Sequence, residues 1–79
     1  MTVELKILTF AQTRAQLGFA EKSFACEPGE TPRAILRRLA PQFDPGNTIR
    51  VAVDQTYADW DQPVGQATEL ALIPPVSGG

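Results

Sequence analysis

Histidine is absent from the 79 residues, and cysteine, methionine, tryptophan and tyrosine occur once each. Without an imidazole the chain lacks the commonest metal ligand and the commonest general base near neutral pH, so metal or triad catalysis by this chain alone is not expected. The lone Cys26 has no partner for an internal disulfide and no second thiol for a zinc or redox pair, which fits a reducing compartment. Following Phe24 and Ala25, it reads as a half-buried strand residue rather than a reactive thiol. Long apolar runs are missing too. No stretch approaches the ~20 residues that cross a bilayer, and Glu4 and Lys6 break up the N-terminal apolar residues, leaving no signal-peptide core. Cytoplasmic residence without a membrane partner is the expectation. Charge is also scarce: seven basic residues against nine acidic give a net charge of −2. The basic residues gather only at Arg33, Arg37 and Arg38, so nucleic acid is not an expected partner.

What remains is the composition of one small folded domain, 43% hydrophobic and 20% charged, well away from the signature of disorder. Val3 to Phe10 alternates with period 2, placing Val3, Leu5 and Ile7 on one face and Glu4, Lys6, Leu8 and Phe10 on the other. The second face turns apolar toward its end, so Leu8 and Phe10 are left for a helix or a partner to cover. Ala11 to Leu17 reads as a short helix ended by Gly18, and Glu21 to Cys26 as a second strand. After the turn cluster Glu27-Pro28-Gly29-Glu30, Thr31-Pro32 is a helix start with threonine as N-cap and proline at the first position. Ile35, Leu36 and Leu39 form the buried stripe of that helix, Arg33, Arg37 and Arg38 a solvated face, and Pro41 stops it near Ala40.

Ile49, Val51 and Val53 alternate with Arg50 and Ala52 as a third strand. Asp54-Gln55 begins a turn, Tyr57 to Trp60 reads as a short edge strand with both aromatics as packing elements, and Gly65 to Thr68 as loop. Leu70 to Ile73 is a last apolar strand ended by Pro74-Pro75, which cannot donate to a ladder. Strand, short helix, strand, helix, strand, short strand, strand predicts an α+β domain with one sheet wrapped around one main helix.

Beyond Pro75 no apolar period anchors the chain, so residues 1–73 read as the domain and 74–79 as an extended, flexible tail on a stiff proline base. Gly78 and Gly79 have no Cβ and suit passage through a narrow channel into a site on another protein. The Gly79 α-carboxylate, with a pKa of about 3.3–3.7, is ionised near neutral pH and is a poor electrophile until activated. Adenylation by ATP would make it an acyl donor, and sulfur could then replace the adenylate to give a thiocarboxylate.

Leu5-Lys6-Ile7-Leu8-Thr9-Phe10-Ala11-Gln12, Val51-Ala52-Val53-Asp54-Gln55 and Leu70-Ala71-Leu72-Ile73-Pro74-Pro75-Val76-Ser77-Gly78-Gly79 together resemble the small, sulfur-carrying subunit of molybdopterin synthase. The resemblance spans nearly the whole chain and implies the ubiquitin-like β-grasp fold. It further implies that an E1-like, ATP-dependent adenylyltransferase activates Gly79 and that a sulfur donor converts it to the thiocarboxylate. Pro75, Val76, Ser77 and Gly78 then enter the large synthase subunit, where sulfur passes to cyclic pyranopterin monophosphate. It implies a heterotetramer of two small and two large subunits. This chain would bind no cofactor and no metal, ATP being used by the activating enzyme. Gly79 is then a cosubstrate-like group, and the catalytic lysines belong to the large subunit. Asp54 stands where the family often has asparagine; as a turn residue it threatens little.

Docking is expected on the face with Leu8 and Phe10 on the first strand and Ala71 and Ile73 on the last, with Arg14 as an added polar contact. The competing expectation is that some of these pack on the short helix. Other functions stay open from sequence: a sulfur carrier for thiamine, cysteine or tRNA thiolation, against which Pro74-Pro75-Val76-Ser77 argues; a ubiquitin-like protein modifier; and an interaction module with an inert tail.

Overall fold

The computed structural model describes residues 1–75. Seven elements follow one another: β1 (Val3–Thr9), α1 (Gln12–Leu17), β2 (Glu21–Cys26), α2 (Pro32–Leu39), β3 (Arg50–Val53), β4 (Thr56–Ala58) and β5 (Glu69–Ile73). The strands form one sheet in the order β2-β1-β5-β3-β4. β1 and β5 pair in parallel, and every other neighbour is antiparallel. The element order is the one read from sequence, and the last strand lies in the middle of the sheet.

Alternation along the strands decides what is buried. Leu5 and Ile7 of β1, Val51 of β3 and Leu70 and Leu72 of β5 form one cluster with Ile35 and Leu36 of α2, all of them 3% exposed or less. Burying each such side chain is worth about 1.5–3 kcal/mol, so this layer between sheet and helix carries most of the fold. Cys26 is fully rather than half buried, because its register opposite Val3 turns it into the same layer. Burial, reinforced by the Glu30 carboxylate, pushes its thiol pKa up. Val64, just before the stretch Gly65 to Thr68 that reads as loop, and Ala67 within it close the core. Their segment is tied down by the N–H of Val64 donating to Glu30 O at 2.9 Å and that of Gly65 to Pro28 O at 2.8 Å.

Both helix ends of α2 follow the sequence signals. Thr31 Oγ1 accepts from the Ala34 N–H at 3.2 Å, with Pro32 at the first position and Ala40 as C-cap. α1 ends at Gly18 in the left-handed region, φ 86°, but does not begin at Ala11. Ala11 sits at φ 47°, ψ −112°, a conformation a Cβ disfavours and one that typically costs 1–3 kcal/mol, about what a single outlier stores. Composition gives no hint of it. The strand likewise ends at Thr9, leaving Phe10 in the connection.

Two arginines of α2 are not simply solvated. Arg33 donates to both oxygens of Asp61, at 2.8 and 3.3 Å. Arg38 donates to both oxygens of Glu30, at 2.9 and 2.7 Å, and to Ala25 O at 3.1 Å. Each lies near an aromatic ring, Arg33 by Trp60 and Arg38 by Phe24. Hydrogen bonds from these guanidinium groups hold the Asp61 and Glu30 carboxyls below the usual range. The pairing needed partners 28 and 8 residues away, which helical spacing does not reveal.

Candidate functional site

The sheet has two faces, and α2 covers one. Register defines the other: Leu8 lies opposite Ala71, Ala71 opposite Ala52, and Ala52 opposite Tyr57. Paired residues share a face, so these four form one row across β1, β5, β3 and β4. Ala52 and Ala71 are 6% and 7% exposed yet lie outside the core cluster. Their methyl groups are the floor of the row, between Leu8, half-buried, and Tyr57, which is 66% exposed. The next residues along, Ile73 and Arg50, also oppose one another.

Of the residues expected to dock a partner, Leu8 and Ala71 are direct neighbours in the β1–β5 pair. Ile73 is one step further on this face of β5, since side chains alternate along a strand. Phe10 follows the end of β1 and is 44% exposed. Neither Leu8, Phe10 nor Ile73 packs into the core cluster, whereas Leu17 at the end of α1 does. Arg14 is exposed on α1 and is not in an ion pair among the described residues. Ile73 leads into Pro74, half-buried, and Pro75, exposed. Val76, Ser77, Gly78 and Gly79 lie outside the described residues.

Three residues of this face were not expected on it from sequence. Ala52 and Arg50 sit within an alternating strand whose exposed side looks ordinary until β3 is placed between β5 and β4. Tyr57 is no packing element, because its register with Ala52 turns it outward. Trp60 does pack against the core, and its indole N–H donates to Ile49 O at 3.1 Å, but it lies beyond the edge strand.

Asp54 does more than turn the chain. With Gln55 it forms a two-residue hairpin loop, both at positive φ, 49° and 70°, the requirement of a type I′ turn. Its Oδ1 accepts from Thr68 N at 2.9 Å, Thr68 Oγ1 at 3.1 Å and Glu69 N at 3.0 Å. The turn therefore fixes the start of β5, the strand that leads to the tail. These bonds, from the Thr68 N–H first, hold the Asp54 carboxyl below its ordinary pKa. An asparagine in its place would also offer an acceptor and tolerate the left-handed region. Among the described residues no helix is long and apolar enough to cross a membrane.

Comparison with known proteins agrees with this architecture. The ThiS family matches residues 7–79. The chain is 32% identical to the molybdopterin synthase sulfur carrier subunit of Arabidopsis thaliana, over 99% of this chain and 85% of that protein. It is also 32% identical to the subunit of the same name in Escherichia coli, over 95% and 99%. In fold it is similar to the small archaeal modifier SAMP1 of Haloferax volcanii, with a TM-score of 0.75 at 24% identity over 96% and 99% of the two chains. A mixed five-stranded sheet with this helix is thus the ubiquitin-like β-grasp. From its fold and its near full-length likeness to these sulfur carrier subunits, the chain belongs to the ThiS family.

Proposed function

We propose that this protein is a sulfur carrier for molybdenum cofactor biosynthesis. One observation carries the reading: the tail leaves from β5, the middle strand of the sheet, beside the row of Leu8, Ala71, Ala52 and Tyr57 that the core leaves uncovered. A partner gripping that row holds the base of the tail at a fixed place. The relatives named molybdopterin synthase sulfur carrier subunits support the choice of chemistry.

In the proposed cycle an E1-like enzyme brings the Gly79 carboxylate to ATP. A carboxylate oxygen attacks the α-phosphorus, pyrophosphate leaves, and the acyl-adenylate forms. A sulfide equivalent from a sulfur donor adds to the acyl carbon and expels AMP, leaving a thiocarboxylate. The loaded tail, Pro75 to Gly79, enters the large molybdopterin synthase subunit, where the sulfur passes to cyclic pyranopterin monophosphate. Two carriers and two large subunits make the assembly, in the cytoplasm. Leu8, Phe10, Ala71 and Ile73 form the apolar contact, with Arg14 at its margin. Excluding water there strengthens the hold on the tail while the chemistry proceeds elsewhere.

The test is chemical. After co-expression with an activating enzyme, intact-mass analysis should find one oxygen replaced by sulfur at the C-terminus. Absence of that exchange, under conditions that load a known carrier, overturns the reading. Isopeptide adducts on lysines would assign the chain to protein modification instead. Loading without transfer to the large subunit would assign it to another thiolation route, such as thiamine, cysteine or tRNA.

A further inference from the structure

Thr9 and Thr13 are the buried polar side chains among the described residues, 1% and 0% exposed. Both lie where the sheet gives way to the tail. The Thr9 hydroxyl donates to Phe19 O, tying β1 to the connection before β2. Thr13 does something less ordinary. Its Oγ1 accepts from the Phe10 N–H at 2.9 Å and lies 2.9 Å from Phe10 O and 3.0 Å from Leu72 O.

The parallel ladder explains what this hydroxyl replaces. β1 donates to β5 at every second residue, beginning with Lys6 N to Thr68 O at 2.9 Å. By that repeat the rung after Leu8 joins the Phe10 N–H to the Leu72 carbonyl. The Thr13 hydroxyl stands on that rung, taking the Phe10 proton and sharing its own between Leu72 O at 3.0 Å and Phe10 O at 2.9 Å. A hydroxyl has one hydrogen and two lone pairs, so it can be acceptor and donor at once. An independent feature points the same way. Ala11 is held at φ 47° in a turn closed by the Thr13 N–H on Phe10 O at 3.0 Å. A strained residue persists where its surroundings over-determine it, and Thr13 binds Phe10 through both backbone and side chain.

We propose that Thr13 is a positioning residue for sulfur delivery, its hydroxyl relaying the last rung between β1 and β5 and so fixing Phe10 relative to the base of the tail. The inference rests on the carrier reading above. Phe10 is the ring offered to the partner and Leu72 is two residues before Pro74, so one buried hydroxyl sets the offset between the docking ring and the proline base of the tail. Removing it lets the Phe10 N–H meet Leu72 O directly and draws the two together. A reactive group on a tail is sensitive to such an offset, because small misplacements cost rate out of proportion to the binding lost.

The test uses the full chain, loaded with sulfur by an activating enzyme and mixed with the large synthase subunit at saturation, so that single-turnover transfer is read apart from affinity. T13V and T13A should transfer more than about tenfold slower, while T13S, which keeps the hydroxyl, stays within about twofold of the wild type. T13S and T13A both lose the γ-methyl, so their difference isolates the hydroxyl even where T13V folds poorly. In the wild-type protein the Thr13 hydroxyl and Phe10 amide protons should exchange slowly by NMR. Wild-type transfer rates in T13V and T13A, with only their melting temperatures lowered, would reduce Thr13 to a structural role and overturn the proposal, as would fast exchange of either proton. Failure of the wild-type chain to load sulfur is a different result, which strikes the carrier reading and leaves the exchange measurement to judge the relay.

Discussion

Truncating Phe10 to alanine separates docking from folding. The ring is 44% exposed in the free domain, and a phenylalanine side chain presents roughly 200 Å² to its surroundings. Roughly 90 Å² therefore remains for a partner to cover, worth about 2 kcal/mol at ~25 cal/mol/Å². F10A should accordingly weaken association with the large synthase subunit about thirtyfold. The ring is outside the core cluster, and the backbone bonds from Phe10 to Thr13 survive the change, so the melting temperature should move little. Isothermal titration calorimetry of F10A and wild type against the same large subunit, with thermal unfolding of each carrier alone, measures both quantities. An affinity within about threefold of wild type would remove Phe10 from the contact and undo the argument that an exposed aromatic beside the tail is there to be covered. A collapse of the free domain would show that the ring belongs to the fold.

Leu5 is fully buried in the layer between sheet and α2, and L5A should cost about 3 kcal/mol, which lowers the melting temperature of a domain this size by about 12–24 °C. Calorimetry checks it. T31A removes the side-chain acceptor at the start of α2 and should cost about 1 kcal/mol, with T31S retaining most of it, read by urea unfolding. Asp54 is expected to make stability depend on acid. Its hydrogen bonds from Thr68 and Glu69 place the folded pKa below the unfolded one, so the stabilisation is complete above the unfolded value near pH 4 and is lost as pH falls through the folded value. D54N should keep the turn and flatten that part of the decline in urea titrations across the acid range, the remaining slope coming from Glu30 and Asp61; an unchanged slope would show that Asp54 is not linked to folding.

Much of this protein was legible in one dimension. Period-2 alternation from Val3 to Phe10 and the apolar run Leu70–Ile73 before two prolines gave strands, Thr31-Pro32 and Pro41 bounded the main helix, Gly18 ended the short one, and the order of elements followed, because these are local signals of backbone sterics and side-chain spacing. The chemistry proposed for Gly79 is also a reading of sequence, carried by the resemblance of Pro74-Pro75-Val76-Ser77-Gly78-Gly79 to the sulfur carrier subunits. What alternation cannot say is which strand lies beside which. That β5 is central, that Ala52 and Tyr57 share a row with Leu8 and Ala71, and that Arg33 and Arg38 find Asp61 and Glu30, all depend on pairings between distant residues. Hydrophobic burial is non-directional and sets only inside from outside. Hydrogen-bond register then decides which small residues form the floor of the outer face, and that a buried threonine stands on the last rung before the tail.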